Sequence, residues 1–209
     1  MIKILIADDH MLIREGLKKV LNTAPEIVIS AEANNASEVM EALQKEIPDV
    51  VVLDISLPGK SGLDLLSEIK ASHPKLPVLM LSMHPEERYA VRALKAGAAG
   101  YVTKETAADQ LIPAIRKVVQ GRKHISQTLS EKLALNLENH SDKPHELLSD
   151  REFQVFQLLV VGETVRQISE KLSLSMSTVN TYRTRILQKM NMDSDAQLIH
   201  YAIRSGITE

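Results

Sequence analysis

Five short apolar runs, each followed by a stretch with helical periodicity, constrain this chain more than any other feature of its sequence. The runs are Ile2 to Ala7, Ile27 to Ala33, Val50 to Leu53, Val78 to Leu81 and Gly100 to Val102. Between and after them, sets such as Ile13, Leu17, Val20, Leu21 and Leu111, Ile115, Val118, Val119 repeat at i, i+4, i+7, i+8, the spacing that lines one face of a helix. Strands alternating with helices predict an α/β fold with a doubly wound, five-stranded parallel sheet. Right-handed crossovers then put helices on both faces and gather the carboxyl ends of the strands on one rim.

That rim is where the chemistry concentrates. Val50-Val51-Val52-Leu53 is a fully apolar strand that ends in Asp54, and ligands of open parallel sheets collect at such ends. Read alone, Asp54 could equally begin the turn completed by Pro58-Gly59. Asp8 and Asp9 end the first strand, however, and in the strand order 2-1-3-4-5 that strand neighbours the third. Three carboxylates so close must share a proton or hold a cation, and hard oxygen donors suit Mg2+. The cation would neutralise incoming phosphate oxygens while one carboxylate attacks phosphorus. Ser82 and Lys104, at the ends of the fourth and fifth strands, offer a hydroxyl and an ammonium to the same oxygens.

These residues carry a family resemblance. Ala7-Asp8-Asp9-His10 with Arg14-Glu15-Gly16-Leu17, Asp54 within Leu53-Asp54-Ile55-Ser56-Leu57-Pro58-Gly59, Ser82 after Leu81, and Gly100-Tyr101-Val102-Thr103-Lys104 resemble the receiver domain of bacterial two-component response regulators over residues 1 to about 121. The resemblance implies a flavodoxin-like receiver with Asp54 as phosphoacceptor. Asp9 and Asp54 would bind Mg2+ directly, with Asp8 assisting and the Ser56 carbonyl completing the site. Ser82 and Tyr101 would form the switch pair, the plainer alternative for Tyr101 being half-buried packing. Serine at position 82 keeps the hydroxyl of the commoner threonine but loses its methyl group and with it some rotamer restriction. His10 is read as a helix-start histidine held by packing, with a titrating or ligand role as the alternative.

After Gly121 the strand pattern stops. Residues 122–146 read as a linker with one helix, carrying Leu129, Leu133 and Leu137, before a polar stretch from Asn139 to Pro144. From Leu147 to the end the pattern is wholly helical, a small all-α domain over 147–209. Ser149 with Glu152 and Thr164 with Gln167 fit capping boxes, Gly162 closes the first helix, and Ser175 is the N-cap of a third running to about Met190. A fourth helix follows from Asp195.

Two helices joined by a short turn, the second rich in Ser, Thr, Asn and Arg, suggest a helix-turn-helix. At about 100° per residue, Val179, Tyr182, Ile186 and Met190 share one side, while Ser177, Thr181, Thr184, Arg185 and Gln188 share the other, with Asn180 on the flank. The second side is free to enter a groove of double-stranded DNA. Arg183 falls nearer the packed side, so its stem is expected on the core and its head at a phosphate. Charge supports this locally: residues 166–189 hold five bases (Arg166, Lys171, Arg183, Arg185, Lys189) and one acid, Glu170, against a net charge of -2 for the chain.

Leu148-Ser149-Asp150-Arg151-Glu152, Ile168-Ser169-Glu170-Lys171-Leu172, Ser177-Thr178-Val179-Asn180-Thr181-Tyr182 and Ile186-Leu187-Gln188-Lys189-Met190 resemble the LuxR-type helix-turn-helix, so the whole chain resembles a regulator of the NarL/FixJ type. Asn180 stands where many relatives carry Lys, and asparagine pairs with adenine where lysine reads guanine, so base preference does not transfer. The resemblance implies a sensor histidine kinase as partner and a homodimer joined through Leu198, Ile199 and Ala202, residues that core packing would also explain. Tail release and receiver dimerisation are equally open as ways for phosphorylation to act.

Composition bounds the rest. The absence of cysteine excludes disulfides and thiol chemistry, and fits a cytoplasmic home. No apolar run is long enough for a membrane span. An aspartyl phosphohydrolase is the enzymatic rival, but such enzymes place a general acid two residues after the nucleophile, where this chain has Ser56. The expectation is therefore a regulator and not an enzyme.

Overall fold

The computed structural model describes residues 1–58, 60–126, 129–130 and 144–207. Gly59 of the turn after Asp54, and most of the linker helix with Leu133 and Leu137, lie outside the described residues. The chain divides into two compact units, Met1–Glu138 and Asn139–Glu209.

Over residues 1–119 of the first unit, strands and helices alternate: β1 (Ile2–Ala7), α1 (Met11–Leu21), β2 (Ile27–Ala33), α2 (Ala36–Lys45), β3 (Val50–Asp54), α3 (Gly62–Ser72), β4 (Val78–Ser82), α4 (Glu86–Lys95), β5 (Gly100–Thr103) and α5 (Ala107–Val119). The sheet is parallel in the order β2-β1-β3-β4-β5. Every residue of β3 and β4 is buried, as strands covered on both faces must be, whereas β2 alternates because it is an edge. Between β1 and β2 the register slips by one residue after Ile4, and the extra residue, Ser30, donates its hydroxyl to the Ile4 carbonyl at 3.1 Å. One face of the sheet packs Ile4, Ile6, Val50, Val52, Leu79, Leu81 and Val102 against Leu17 and Leu21 of α1 and Leu111, Ile115 and Val118 of α5. The opposite parity, including Leu5, Val51, Leu53 and Met80, is equally buried.

The stretch just after α5 departs from the linker reading. His124 bridges to Gly100 in parallel, its amide donating to the Ala99 carbonyl at 2.9 Å and its carbonyl accepting from Tyr101 N at 3.2 Å. A Cβ at position 100 would meet the His124 carbonyl oxygen at 2.6 Å, so only glycine lets the returning chain lie on this edge. Residues 122–126 thus close the β5 edge of the sheet, a long-range pairing that local polarity cannot announce.

The described part of the second unit holds a 3-10 turn (Pro144–Leu147), α6 (Asp150–Val160), α7 (Val165–Leu172), α8 (Met176–Met190) and α9 (Asp195–Arg204). Both expected capping boxes form, and Ser175 accepts from Thr178 N as the N-cap of α8. Gly162, at φ 89°, follows the end of α6. Phe153, Val155 and Phe156 of α6, Ile168 of α7, Val179, Ile186 and Met190 of α8, and Leu198 and Ala202 of α9 form its core.

Candidate functional site

The acidic pocket is built by strand ends. Because β1 pairs with β3 in the register Ala7 to Leu53, the next residues, Asp8 and Asp54, emerge side by side, each at most 1% exposed. Lys104, held beyond β5 by a bond from its amide to the Ser82 carbonyl at 2.7 Å, brings Nζ to 2.7 Å from Oδ2 of both Asp54 and Asp8. Asp54 Oδ1 accepts the Ser56 amide at 3.1 Å. The contact from Lys104 to Asp8 lacks hydrogen-bond geometry, so the buried Asp8 Oδ2 has no hydrogen-bond partner among the described residues.

Two acids and one ammonium are buried together, and the electrostatics follow. Burial pushes the Asp54 carboxyl above the ordinary range; Lys104 pulls it back, while Asp8 adds to the rise. For Lys104 burial disfavours the charge, but Asp54 and Asp8 outweigh it and hold the ammonium above its usual value. The carboxylates of Asp8, Asp9 and Asp54 and the His10 ring bring their ligand atoms within 4.8 Å of one another. Hard carboxylate oxygens, net negative charge and an Asp8 Oδ2 that has only a share of the Lys104 ammonium and no hydrogen bond fit a divalent cation such as Mg2+.

His10 departs from the packing assignment. Its ring is 61% exposed, and Nδ1 lies 2.8 Å from Asp9 Oδ1, while its amide donates to Asp8 Oδ1 at 2.8 Å. Ser82 is fully buried and its Oγ accepts the His84 amide at 3.0 Å; the Tyr101 hydroxyl donates to the His84 carbonyl at 3.0 Å, with the ring 3% exposed. One residue, His84, therefore lies between the two proposed switch hydroxyls, its amide on one and its carbonyl on the other.

Gly62 and Ser61 beside the pocket are not singled out by sequence, and Arg14 enters there only as part of a motif, with no role. Gly62 opens α3 against β3, where a Cβ would fall 2.1 Å from the Asp54 carbonyl oxygen. Glycine in a first helical turn, where it weakens the helix, is the signal that could have revealed it. Arg14 donates Nη1 to the Asp8 carbonyl, and Ser61 accepts Leu63 N as the α3 cap.

In the helical unit, Val179, Ile186 and Met190 are buried, while Ser177, Asn180, Thr181, Thr184, Arg185, Gln188 and Lys189 are exposed. Thr181 and Thr184 donate their hydroxyls to the carbonyls four residues back, Ser177 at 2.9 Å and Asn180 at 3.0 Å, so their remaining lone pairs are suited to accepting from base amino groups. The local charge is more spent than the tally suggests. Arg166 pairs with Glu170, Lys171 with Glu163, Arg183 with Asp195 at 2.8 Å and Lys189 with Glu152 at 2.6 Å. Among the described residues, Arg185 is the one base of that stretch with no ion pair. Arg183 accordingly reaches a carboxylate of α9 where a phosphate was expected, because Asp195 falls within reach at the start of that helix.

Of the residues expected at a dimer surface, Leu198 and Ala202 are fully buried in the unit's own core, the packing alternative for them; Ile199 is half-buried, and Ile203, 59% exposed, carries the outer apolar surface of α9. Helical periodicity alone could not say which of two apolar stripes faces inward. Among the described residues no helix is long and apolar enough to cross a membrane.

Residues 4–116 match the family described as response regulator receiver domain, and residues 146–202 match the bacterial regulatory proteins of the luxR family. The chain is 36% identical to the response regulator GacA of Pseudomonas syringae over 211 residues, covering 100% of this chain and 99% of that one. It is 35% identical to the response regulator UvrY of Escherichia coli, covering 99% and 96%. Among solved structures it resembles the RcsB response regulator of Salmonella typhimurium, at a TM-score of 0.59 and 26% identity over 96% of this chain and 97% of that one. A structure of RcsB with DNA aligns at a TM-score of 0.60 and 26% identity over 99% of both. With its acidic pocket at the strand ends and its helix-turn-helix tail, the chain belongs to the luxR-type response regulators of two-component systems, phosphorylation-dependent DNA-binding transcription regulators and not enzymes.

Proposed function

We propose that Asp54 is the phosphoacceptor and that a sensor histidine kinase, or a small donor such as acetyl phosphate, supplies the phosphoryl group. The observation that carries this reading is the buried Asp54 carboxylate, with Oδ2 at 2.7 Å from Lys104 Nζ and Oδ1 on the Ser56 amide. A carboxylate oxygen attacks phosphorus, a P–O bond forms to Asp54, and the bond from phosphorus to the donor breaks, its electron pair leaving with acetate or the kinase imidazole. Lys104 stays close enough to follow the negative charge from the carboxylate onto the phosphoryl oxygens. Asp9, Asp54 and the Ser56 carbonyl would hold Mg2+, with Asp8 assisting; the bound ion supplies charge neutralisation. Ser82 and Tyr101 read out the new group through the backbone of His84, which lies between them.

The output is binding of a homodimer to double-stranded DNA through the exposed face of α8, with Ser177, Asn180, Thr181, Thr184, Arg185 and Gln188 as the groove-facing set. The receiver comprises residues 1–121 with 122–126 packed on its edge, the linker runs to 146, and 147–209 form the DNA-binding tail. Incorporation of label from acetyl phosphate with Mg2+ tests the acceptor: Asp54→Asn should take up none, and persistent label would remove Asp54 from the mechanism. Replacing both Thr181 and Thr184 by Ala should weaken binding to a selected DNA fragment, and unchanged affinity would move the reading face elsewhere.

A further inference from the structure

The chain that leaves the receiver is fastened to the loop that joins its two switch hydroxyls. Ser126 donates its amide to Glu86 Oε1 at 3.3 Å and its hydroxyl to Glu86 Oε2. Glu86 is the first residue of α4, two positions beyond His84, whose amide meets Ser82 Oγ and whose carbonyl meets Tyr101 Oη. On the other side, Ser126 Oγ accepts Leu129 N at 3.1 Å and its carbonyl accepts Ser130 N at 3.0 Å, the pattern of a residue that starts a helical turn. Leu129 is buried. Two residues before Ser126, His124 is paired along β5 and accepts the amide of Tyr101 itself.

We infer that the Glu86–Ser126 clasp is the output coupling of the receiver, with Glu86 a positioning residue that makes the start of the following segment move with the switch loop. The inference rests on the phosphorylation reading above. The geometry favours it because the carboxylate takes both donors of Ser126, so a shift of the His84–Pro85–Glu86 turn cannot leave Ser126 in place without breaking two charge-assisted bonds. The pairing of His124 on β5 restrains the segment's other end, so displacement at Ser126 is passed forward to Leu129 and not back into the sheet. Coupling of this kind needs an element with two arrangements that both sites bias, and the switch turn is that element.

The test uses the full chain and acetyl phosphate. Phosphorylation stoichiometry, and affinity for one selected DNA fragment with and without acetyl phosphate, are measured for wild type, Glu86→Ala, Ser126→Ala and Ser126→Thr. Label uptake should match wild type in all three variants, while the gain in DNA affinity on phosphorylation should fall at least about fivefold in both alanine variants, the lower end of typical coupling between sites. Ser126→Thr, which keeps the hydroxyl, should restore it. Equal gains in wild type and Ser126→Ala would overturn the clasp alone, as would loss of label uptake in Ser126→Ala, since that would make the contact structural. No gain in wild type itself would overturn the phosphorylation reading on which the clasp depends.

Discussion

Lys104 Nζ stands 2.7 Å from Asp54 Oδ2 inside the protein, and it is shared: Asp8 Oδ2 lies at the same distance, so one buried cation answers two buried anions. A site with that imbalance favours taking up positive charge or losing negative charge, and the stability of the receiver should record it.

Because the folded-state pKa of Asp54 is raised, the native protein binds more protons than the unfolded chain between the ordinary carboxylate value, about 3.9, and the raised one. Its contribution to stability therefore falls as pH rises through that window. Asp54→Asn removes the titration and leaves Lys104 paired one to one with Asp8. In urea unfolding with EDTA, the variant should gain on wild type as pH rises from about 4 to 7. A constant difference across that range would mean the pocket is not strained by its charge.

Gly62 sets how closely α3 approaches the phosphoacceptor strand. Gly62→Ala places a methyl group on the Asp54 carbonyl, which is backbone and cannot rotate away. A cost of about 2 kcal/mol or more is expected, against a gain of a few tenths to 1 kcal/mol from helix propensity alone. Thermal melting reads the sign directly.

The pairing of tail bases separates two arginines that look alike in sequence. Arg185 is exposed with no ion pair among the described residues, so Arg185→Ala should reduce the magnitude of the salt slope of DNA binding by about one. Arg183 is held by Asp195, and Asp195→Asn should free it and steepen the slope by a similar amount. No change in slope for either variant would place both side chains off the DNA.

Lys189 and Glu152 make a different case. Burial alone would raise the Glu152 carboxyl, but the bond from Lys189 and those from Ser149 outweigh it and hold it below the ordinary value. Its stabilising effect is present above about pH 4.3 and is lost as pH falls through the lowered value. Lys189→Met leaves the 2% exposed Glu152 with its bonds from Ser149 but without the cation, at a cost of about 1–2 kcal/mol after solvent screening of the exposed lysine. Faster hydrogen exchange of the α6 amides, with the acid-induced loss moved to higher pH, is the expected signature. If DNA affinity falls while exchange is unchanged, Lys189 belongs to the interface and not to the fold.

What could be read from the sequence was what repeats locally. The apolar run Val50 to Leu53, the i, i+4 sets of α1 and α5, and the capping boxes at Ser149 and Thr164 each express a short-range rule, and each element stands where that rule puts it. The acids at 8, 9 and 54 were legible because strand order converts sequence position into a shared rim. Contacts between distant segments were not. The pairing of Arg183 with Asp195, the return of His124 onto Gly100 and the burial of Leu198 all depend on which of two compatible faces meets which neighbour. Side-chain type does not encode that choice.

The two faces of α9 bear on assembly, and they can be tested against each other. Leu198 fills the core of the helical unit, so Leu198→Ala should cost about 2–5 kcal/mol and loosen the tail whether or not a dimer forms. Ile203 lies on the outside at 59% exposure, where a charge is cheap, so Ile203→Glu should leave tail stability within about 0.5 kcal/mol of wild type. If α9 joins two tails, Ile203→Glu should nonetheless lose the advantage of a fragment with two half-sites over one with a single half-site, because the partner's copy of the same face must desolvate the new carboxylate. Retention of that advantage would exclude the Ile203 face from the contact, and since Leu198 and Ala202 are buried, the dimer would have to be held by some other surface.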